Sequence, residues 1–466
     1  ELVQVCLDSG VTWSDSLPIT QAPPFEYTTN EVFTYQTTGS DGKMVLATTR
    51  LYRLASAMKW IQREEGKATD LPTAPELLAR MYKSFQLEGT DPEQLRAVAG
   101  VLYELYLRSK DINRTAYLFA KDVDMDFITR VKERSLAGVT IQPISARQYN
   151  TDYAAHLLGR VGLMDADEWA RYKEIDLDGD GLGDYQMDDS IGKEGVEKVF
   201  ESWLRGRSGT RSVELNDNGK VVSEEWIKAP EAGSNVCLTL DLDLQRAVED
   251  SLAKRIPSLS GKNTEGAAAV VIDVTDGGVL ASASYPTFHL ATYSADYNEN
   301  AANPLKPLYN RALLGTYAPG STFKPVTGIA ALEEGIITPS TRILDTGVYR
   351  YYSNDGPRCW IYNQSGGTHG QQTVAQAITN SCNIFFYEIG RIMGIDNIRQ
   401  YAYYYGLGEP TGVEIKERIG QVSNPDWASD RGINWYHGDV LQASIGQGYS
   451  LFSPIQMANY VATIAN

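Results

Sequence analysis

The sequence has no long hydrophobic run. Nowhere in its 466 residues is there a stretch of the roughly 20 apolar residues that a membrane-spanning helix needs. The chain also lacks an N-terminal Met, since it begins at Glu1, and it shows no signal peptide. We therefore expect the start of this chain to be a cut rather than a native terminus.

The chain is poor in positive charge. Its 42 Lys and Arg stand against 59 Asp and Glu, which gives a net charge of −17 at pH 7. Proteins that bind nucleic acid carry clustered positive charge, so nucleic acid is not expected as a partner. The 28 tyrosines come without a recognisable stacking motif, and packing and surface roles suffice to explain them.

Cysteine is scarce as well. The four cysteines are Cys6, Cys237, Cys359 and Cys382, too few for a disulfide scaffold. Cys6 lies in an irregular N-terminal stretch and Cys237 in a strand-like apolar run, and we expect both to be free thiols. A chain of 466 residues exceeds what one hydrophobic core supports, which predicts two or more domains.

What the sequence does contain is a serine and a lysine at the start of an apolar helical pattern. Pro319 and Gly320 predict a turn before it, and Gly335 is a stop signal after it. Ser321 and Lys324 are three residues apart and share a helix face. A lysine whose pKa is lowered by desolvation can act as a base toward a serine. Taken alone, however, the pair favours a helix-capping serine and a solvated lysine.

Three further segments change this interpretation. The triplet Ser381-Cys382-Asn383 stands directly before an apolar helical run, residues 445–448 read Ile-Gly-Gln-Gly, and residues 310–313 lead into the turn before Ser321. Covalent acyl transfer needs a nucleophile, a local base and a second hydroxyl or amide that organises them. The four segments together supply these groups.

With these segments the sequence resembles the penicillin-binding proteins, specifically the class B, monofunctional D,D-transpeptidases. The signature of this group combines Ser-x-x-Lys with a Ser-x-Asn-type triplet and a Lys-Thr-Gly. The resemblance extends from about Asn113 to Asn466. The series from Cys359 through His369 to the triplet is most similar to the PBP2-type elongation subgroup.

The fold class follows partly from the residues and partly from the resemblance. The helical pattern after Asp241 and the hairpin pattern of residues 266–284 predict an α+β domain that begins near Gly233. The resemblance implies that residues 233–466 form a transpeptidase domain of the serine β-lactamase type, with an antiparallel sheet flanked by helices. It implies an elongated N-terminal pedestal of the dimerisation kind for residues 1–232, trimmed at its start.

The resemblance also implies a role for each motif residue. Ser321 attacks the penultimate D-alanine carbonyl of a stem peptide and becomes acylated, while Lys324 accepts its proton. Ser381 relays a proton toward the leaving D-alanine, and the Asn383 amide holds Lys324 and the substrate. An amine of a second stem peptide then resolves the acyl-enzyme into a peptidoglycan cross-link. β-Lactams are expected to acylate the same serine.

The implied setting is the extracytoplasmic face of the cell membrane, with an N-terminal anchor that this chain does not include. The implied partners are stem peptides, lipid-linked precursors and a membrane glycosyltransferase. No Lys-Thr-Gly or Lys-Ser-Gly follows Gly448, so we expect the chain to stop before that motif and the fragment itself to be inactive. A β-lactam sensor or D,D-carboxypeptidase on the same fold, and a non-catalytic cell-wall scaffold, are the alternative functions.

Two metal sites are conceivable. A zinc set of Asp345, Cys359, His369 and Cys382 has the ligand chemistry of a tetrahedral site, and zinc beside the active site is reported for some PBP2-type proteins. Such a zinc would brace the loop that carries Ser381. A Cys359–Cys382 disulfide and simple burial of Cys382 are the alternatives.

The second conceivable metal site is a calcium loop, formed by Asp176, Asp178, Asp180 and Asp184. Its spacing, with Gly181 at the turn, resembles the first nine positions of a calcium-binding loop. Met187 stands where that loop has its closing glutamate. An acidic, solvated turn is the alternative.

Overall fold

The structure is a computed structural model of the chain. It describes residues 1–38, 44–61, 63–64, 67–68, 71–109, 117–134, 136–141, 147–177, 179, 181, 183–217, 221–259, 264 and 266–466. Within these ranges, no helix is both long enough and apolar enough to cross a membrane.

The chain packs into two compact units. The first comprises Glu1–Ile144 and Arg211–Glu225, and the second comprises Ser145–Thr210 and Trp226–Asn466. Units defined by packing need not coincide with the domains predicted from the sequence. The domain boundary expected between residues 232 and 233 therefore stays a prediction.

The first unit is mainly helical. Its helices are α1 (Leu2–Ser9), α2 (Arg50–Ala57), α3 (Ala74–Phe85), α4 (Pro92–Ser109) and α5 (Met125–Arg134), and its strands pair as β1 (Thr34–Thr38) with β2 (Met44–Thr48) and β3 (Arg63–Glu64) with β4 (Lys67–Ala68). The N-terminal stretch around Cys6 was expected to be irregular, and this was wrong. Cys6 is a buried, free thiol on α1, where it packs against Phe127 and Val131 of α5.

Helix α4 buries an arginine in this unit. The Arg96 side chain is fully buried, and its guanidinium lies 2.7 Å from the Asp15 carboxylate. It also donates hydrogen bonds to the carbonyls of Leu17 and Ile19, at 2.9 and 2.7 Å. One buried cation therefore ties the irregular segment around residues 15–19 to α4, since a buried charge is tolerated only when it is paired.

The second unit carries most of the helices. They are α6 (Ala155–Leu158), α7 (Ala166–Tyr172), α8 (Gly195–Val199), α9 (Glu201–Leu204), α10 (Leu242–Arg255), α11 (Tyr293–Ala302), α12 (Arg311–Leu314), α13 (Lys324–Glu333), α14 (Trp360–Ser365), α15 (Val374–Thr379), α16 (Asn383–Met393), α17 (Ile395–Tyr404), α18 (Pro425–Ser429), α19 (His437–Ser444) and α20 (Pro454–Ala465). Short 3-10 turns cover Pro257–Leu259 and Gly320–Phe323.

Its strands pair two by two. They are β5 (Val161–Leu163) with β6 (Ser190–Gly192), β9 (Ala267–Ile272) with β10 (Val279–Tyr285), and β11 (Ile343–Asp345) with β12 (Gly370–Gln372), all antiparallel. An exposed ribbon of β7 (Thr210–Leu215) and β8 (Val221–Lys228), most of which belongs to the first unit, completes the described strands. The run around Cys237 is not a strand, and Cys237 is an exposed, free thiol.

The predicted helix and hairpin of the α+β domain are confirmed. Asp241 caps α10 by accepting a hydrogen bond from the Leu244 N–H at 2.9 Å. Helix α10 packs against the β9–β10 hairpin, and its buried Gln245 side chain exchanges two hydrogen bonds with the backbone of Ser282 in β10, at 2.8 and 2.9 Å. Helix α20 contacts β9, so helices flank the antiparallel pair.

A segment that precedes the hairpin by a hundred residues packs onto the same framework. The buried Glu249 carboxylate of α10 accepts a hydrogen bond from the Ala154 N–H at 2.8 Å. His156 lies 2.7 Å from the Pro307 carbonyl through Nε2, and burial lowers the pKa of its imidazole to about 4. His156 is therefore a neutral residue that holds two segments together.

The main hydrophobic core of this unit lies beneath helices α13, α16, α17 and α19, which contact one another. Its fully buried side chains include Phe323, Val326, Phe385, Phe386, Ile389 and Ile398. Phe323 is in the 3-10 turn that carries Ser321, and its ring stacks on that of Phe452 with 6.1 Å between the centroids. The turn is thus anchored from below by an aromatic pair.

Replacing Arg96 with alanine should destabilise the first unit strongly. The substitution leaves the Asp15 carboxylate nearly buried, at 3% side-chain exposure, without its partner, a loss of about 3–5 kcal/mol. Urea unfolding of the chain measures the effect. The exposed Arg130 on α5 provides the control, since Arg130→Ala should change stability by less than about 1 kcal/mol. Equal stability of the two variants would contradict the prediction.

Candidate active site

Ser321 lies on an exposed 3-10 turn directly before α13. The turn spans Gly320–Phe323 and the α-helix begins at Lys324, with Pro325 in its first turn. The sequence predicted a helix N-terminus at this position, and the structure confirms it. The serine hydroxyl is open to solvent and can meet a ligand, at the end of the helix where its dipole favours negative charge.

Lys324 is the opposite case, because it is buried. Its residue exposure is 1%, and the ammonium donates three hydrogen bonds: to the Ser381 carbonyl at 2.8 Å, to Ser381 Oγ at 2.8 Å and to Asn383 Oδ1 at 2.7 Å. Burial lowers the pKa of Lys324 to about 8, against a smaller raising effect of Cys359 and Cys382. The solvated lysine considered above is therefore excluded.

The Ser381-Cys382-Asn383 triplet joins α15 to α16. Ser381 adopts a left-handed backbone conformation with φ of 48°, which is uncommon for a residue with a Cβ. The Cys382 N–H bonds to the Ala377 carbonyl at 2.9 Å, and Asn383 begins α16. This sharp reversal of the chain points the serine hydroxyl and the asparagine amide toward Lys324.

The three groups form a hydrogen-bonded series. Ser381 Oγ lies 2.8 Å from Ser321 Oγ and 2.8 Å from Lys324 Nζ. Among the described residues, the hydrogen-bonded route from the lysine to the nucleophile therefore passes through the Ser381 hydroxyl. A solvent-exposed hydroxyl joined to a buried amine with a lowered pKa is suited to covalent acyl transfer. The individual catalytic roles stay predictions.

The segment around Gly446 supports this turn from the other side. Gly446 has φ of 72°, and a Cβ built there would lie 2.2 Å from the Gly320 carbonyl oxygen. The Gly446 carbonyl accepts a hydrogen bond from the Gly320 N–H at 2.8 Å, and Ser444 accepts one from Thr327 Oγ1 at 2.8 Å. The Ile-Gly-Gln-Gly segment thus contacts the backbone next to Ser321, and only glycine permits this approach.

The four predicted zinc ligands converge behind the triplet. One ligand atom from each of Asp345, Cys359, His369 and Cys382 lies within 4.8 Å of the others. His369 Nδ1 is 2.7 Å from Asp345 Oδ2 and 3.4 Å from Cys359 Sγ, and Cys382 Sγ is 3.5 Å from the same carboxylate oxygen. Cys359 and Cys382 are free thiols. A carboxylate, an imidazole and two thiols at these separations fit a tetrahedral zinc ion.

The electrostatics of this cluster favour ionisation of Asp345 and Cys359 but not of Cys382. Burial alone raises the pKa of Asp345, but hydrogen bonds from the Gly347 N–H and from His369 bring it below its ordinary value. The Cys382 thiol donates to the Cys359 sulfur, which lowers the pKa of Cys359 and raises that of Cys382. The cluster therefore already holds a carboxylate and an easily deprotonated thiol.

The calcium loop is described only in part. Asp178 and Asp180 lie outside the described residues. The Asp176 carboxylate accepts hydrogen bonds from the N–H groups of Gly179 and Gly181, at 2.6 and 2.8 Å, and Asp184 accepts one from Leu177 at 2.5 Å. These bonds make a turn within the chain, and calcium binding stays a prediction.

Two supporting residues escaped the sequence reasoning. The Trp360 indole donates a hydrogen bond to the Asn380 carbonyl at 3.0 Å, directly before Ser381. The Asn383 amide nitrogen lies 3.4 Å from the Arg358 carbonyl. The first contact spans 20 residues and joins the start of α14 to the residue before the triplet, while the second spans 25 residues and joins the loop before α14 to Asn383. Sequence carries no signal for such pairings apart from the proximity of Trp360 to the predicted ligand Cys359.

Two protein-family models match the chain. The penicillin binding protein transpeptidase domain matches residues 267–466, and the penicillin-binding protein dimerisation domain matches residues 38–238. The two matches agree with the fold class expected from the sequence, a transpeptidase domain preceded by a domain of the dimerisation kind.

Two curated relatives agree with these matches. The peptidoglycan D,D-transpeptidase MrdA of Haemophilus influenzae is 34% identical over 337 residues, which is 71% of this chain and 49% of that protein. MrdA of Escherichia coli K12 is 33% identical over 345 residues, 72% of this chain and 52% of that protein. The chain thus spans about half the length of the curated relatives it matches.

Solved structures show the same likeness. PBP2 of Pseudomonas aeruginosa, in complex with WCK 5153, is 29% identical with a TM-score of 0.55, over 70% of this chain and 66% of that one. A chain of a peptidoglycan synthase complex, solved to explain the coordination of polymerization and crosslinking, is 31% identical with a TM-score of 0.60, over 78% and 63%.

Replacing Gly446 with alanine should slow the reaction of Ser321. The new Cβ forces the Gly320 carbonyl and the serine turn to move, and a displacement of about 1 Å can cost about 100-fold in rate. Acylation of the complete gene product by a fluorescent penicillin measures this loss. Gly412→Ala is the matched control, because Gly412 also has a left-handed backbone, with φ of 88°, and a Cβ there meets nothing within 4 Å. Equal labelling rates for the two variants would argue against a role for Gly446 in holding the turn.

Proposed function

Because this chain belongs to the class B penicillin-binding proteins of the PBP2 type, we propose that it forms peptidoglycan cross-links by acyl transfer through Ser321. One observation carries the proposal: an exposed serine is joined through Ser381 to a buried lysine whose pKa is lowered to about 8. The relatives named peptidoglycan D,D-transpeptidase support the substrate class.

The first half-reaction acylates the serine. Ser321 Oγ attacks the carbonyl between the last two D-alanines of a stem peptide, and its proton passes to neutral Lys324, through the Ser381 hydroxyl once the two hydroxyl hydrogens rotate. The peptide C–N bond breaks, and the departing D-alanine amine takes a proton back along the same series. The product is an ester of Ser321.

The second half-reaction reverses the proton path. The amine of a neighbouring stem peptide attacks the ester carbonyl and gives a proton to Lys324 through the Ser381 hydroxyl. Ser321 Oγ then leaves and takes a proton back from Lys324 along the same hydrogen bonds. The result is a new amide bond and a regenerated serine. Asn383 keeps Lys324 oriented in both steps, because its Oδ1 lies 2.7 Å from the lysine Nζ. A β-lactam ring opens by the first half-reaction alone.

We further propose that the complete protein acts at the extracytoplasmic face of the membrane, beside a glycosyltransferase that polymerises lipid-linked precursors. The support is the likeness to a chain of a peptidoglycan synthase complex that couples polymerization and crosslinking. Cross-linking needs freshly polymerised strands, so the two activities are expected in one place.

A structural zinc ion is the cofactor that we propose. Asp345, Cys359, His369 and Cys382 would hold it, and it would supply bonds that brace the loops around the active site rather than reaction chemistry. Cys382 is the central residue of the catalytic triplet, so the backbone that presents Ser381 and Asn383 is attached directly to a ligand. Bound metal would therefore stabilise the left-handed conformation of Ser381.

The cross-linking activity should disappear in Ser321→Ala. The complete gene product, given lipid-linked precursor and a glycosyltransferase, should release D-alanine and form cross-linked dimers, which chromatography of the digested product quantifies. Ser365→Ala, an exposed serine at the end of α14, should keep full activity. Release of D-alanine without any cross-link would instead indicate a carboxypeptidase, and labelling by penicillin with neither product would indicate a sensor.

Acylation of Ser321 should depend on pH through Lys324. The reaction needs the neutral amine, so the penicillin acylation rate should rise with pH, with a midpoint near the lysine pKa of about 8, and level off above it. Below the midpoint the rate should fall about tenfold per pH unit. Lys324→Arg retains the positive charge but does not deprotonate, so it should lose about 100-fold or more. A flat pH profile would contradict the assignment of the base.

The zinc proposal predicts about one equivalent of zinc in the purified protein. Cys359→Ser and His369→Ala should lose most of the metal, and chelation should lower the melting temperature, because metal that binds only the folded state stabilises it. Cys237→Ser removes an exposed thiol and should keep the full zinc content. Zinc well below a stoichiometric amount in the parent protein would remove the proposal.

A further inference from the structure

A cavity lined by aromatic residues lies beside the active site. Its volume is about 390 Å³, and its lining includes Tyr349, Tyr352, Ser353, Tyr436, His437 and Gln442. The side chains of Tyr352 and Tyr436 are 48% and 65% exposed. Rings that stay this open to solvent in one place are a feature of binding surfaces rather than of packing.

The Tyr352 ring is packed between two neighbouring rings. The Tyr352 ring stacks on that of His437, with 5.6 Å between centroids and planes 19° apart. The Tyr351 ring lies edge-on to the Tyr352 ring, with 4.9 Å between their centroids. The Arg391 guanidinium covers the face of the Tyr351 ring, 3.9 Å from its centroid. A surface that is ordered before binding loses little conformational entropy when a ligand arrives.

Beneath the exposed rings, Tyr349 fixes the base of the loop. Its hydroxyl donates to the Glu388 carboxylate, and Arg391 bonds the same carboxylate at 2.8 Å. The Tyr349 N–H also bonds the Pro357 carbonyl at 2.9 Å, which closes the loop of residues 349–357. The aromatic wall is therefore tied to helix α16.

Two links place the cavity next to the catalytic groups. Pro357 of the lining is followed by Arg358, whose carbonyl lies 3.4 Å from the amide nitrogen of Asn383. Gln442 of the lining interacts with Tyr387, which is one turn of α16, or about 6 Å of helix length, from Asn383. The cavity lining is thus one residue along the chain from a contact of Asn383, and one helical turn from Asn383 through Tyr387.

We propose that this cavity binds an N-acetylhexosamine ring of the glycan strand to which a stem peptide is attached. The proposal rests on the cross-linking function proposed above. Pyranose rings present C–H faces that pack on aromatic rings, and tyrosine adds a hydroxyl at the edge that can bond a sugar hydroxyl. The volume is near the lower end of small-molecule sites, which begin at about 300 Å³, and so suits one sugar rather than a peptide-bearing disaccharide.

The polar groups of the lining fit the same ligand. Ser353, Gln442 and His437 offer hydroxyl, amide and imidazole groups for hydroxyl and acetamido groups of a sugar. Gly438 has no side chain, and a Cβ there would meet nothing within 4 Å, which leaves room for a ring against the backbone. The site would recognise the strand and thereby place its peptide at Ser321.

Binding of a soluble saccharide tests the proposal without any catalysis. The probe is the disaccharide N-acetylglucosamine–N-acetylmuramic acid, titrated into this chain and followed by NMR, with the stem pentapeptide alone as a second probe. The chain should bind the disaccharide, and Tyr352→Ala and Tyr436→Ala should each weaken binding about tenfold. Tyr352→Phe keeps the ring and should keep most of the affinity.

The matched control is Tyr404→Ala, which removes a ring of 65% exposure from α17. It should leave saccharide affinity unchanged, and melting curves should show that all variants fold. The proposal is overturned if the chain does not bind the disaccharide, or if all variants bind it with equal affinity. It is also overturned if the chain binds the pentapeptide and Tyr352→Ala and Tyr436→Ala weaken that binding rather than disaccharide binding. Penicillin labelling of Ser321 is a separate readout, so failure of the cross-linking function would be recognised independently.

Discussion

The ammonium group of Lys324 is the constraint on which the rest of the site depends. A nearly fully buried cation is costly unless acceptors surround it, and here Ser381 supplies two acceptors and Asn383 a third. All three come from the Ser381-Cys382-Asn383 triplet, almost sixty residues away in the chain, so α13, which begins at Lys324, and α16, which begins at Asn383, cannot separate without leaving a buried charge unpaired. The same burial lowers the pKa of the amine and makes it a usable base near neutral pH. The desolvation that makes burial of the lysine costly is therefore also what lowers its pKa.

Local chemistry was largely predictable from the sequence. The three-residue spacing of Ser321 and Lys324 predicted that they share a face of the chain. The hairpin and the capped helix after Asp241 also form where the turn and capping residues predicted them. The approach of Ser381 Oγ to Ser321 Oγ was not predictable in this way, because it depends on a left-handed residue and on the packing of α13 against α16. The contact of Gly446 with the Gly320 carbonyl is likewise a property of tertiary packing, and the resemblance to a family, rather than any periodicity, drew attention to that glycine. The helix around Cys6 was missed for a related reason: an eight-residue helix is stabilised mainly by what it packs on.

Tyrosine shows where composition misleads. A count without a stacking motif gave no reason to look beyond packing, yet Tyr352 and Tyr436, more than eighty positions apart, line one cavity. Only the fold brings the loop after β11 to the start of α19. The proposed saccharide site and the proposed zinc cluster adjoin in the chain, since Cys359 follows Pro357 by two residues.

The side chain of Gln245 has a topological consequence. It occupies both backbone hydrogen-bonding groups of Ser282, and these groups face away from β9, where a neighbouring strand would otherwise attach. Helix α10 thereby closes that side of the hairpin to strand addition, including accidental pairing with another molecule during folding. Any strand that enlarges this sheet must join it next to β9. The Gln245 side chain thereby leaves only the β9 edge of the sheet open to a further strand.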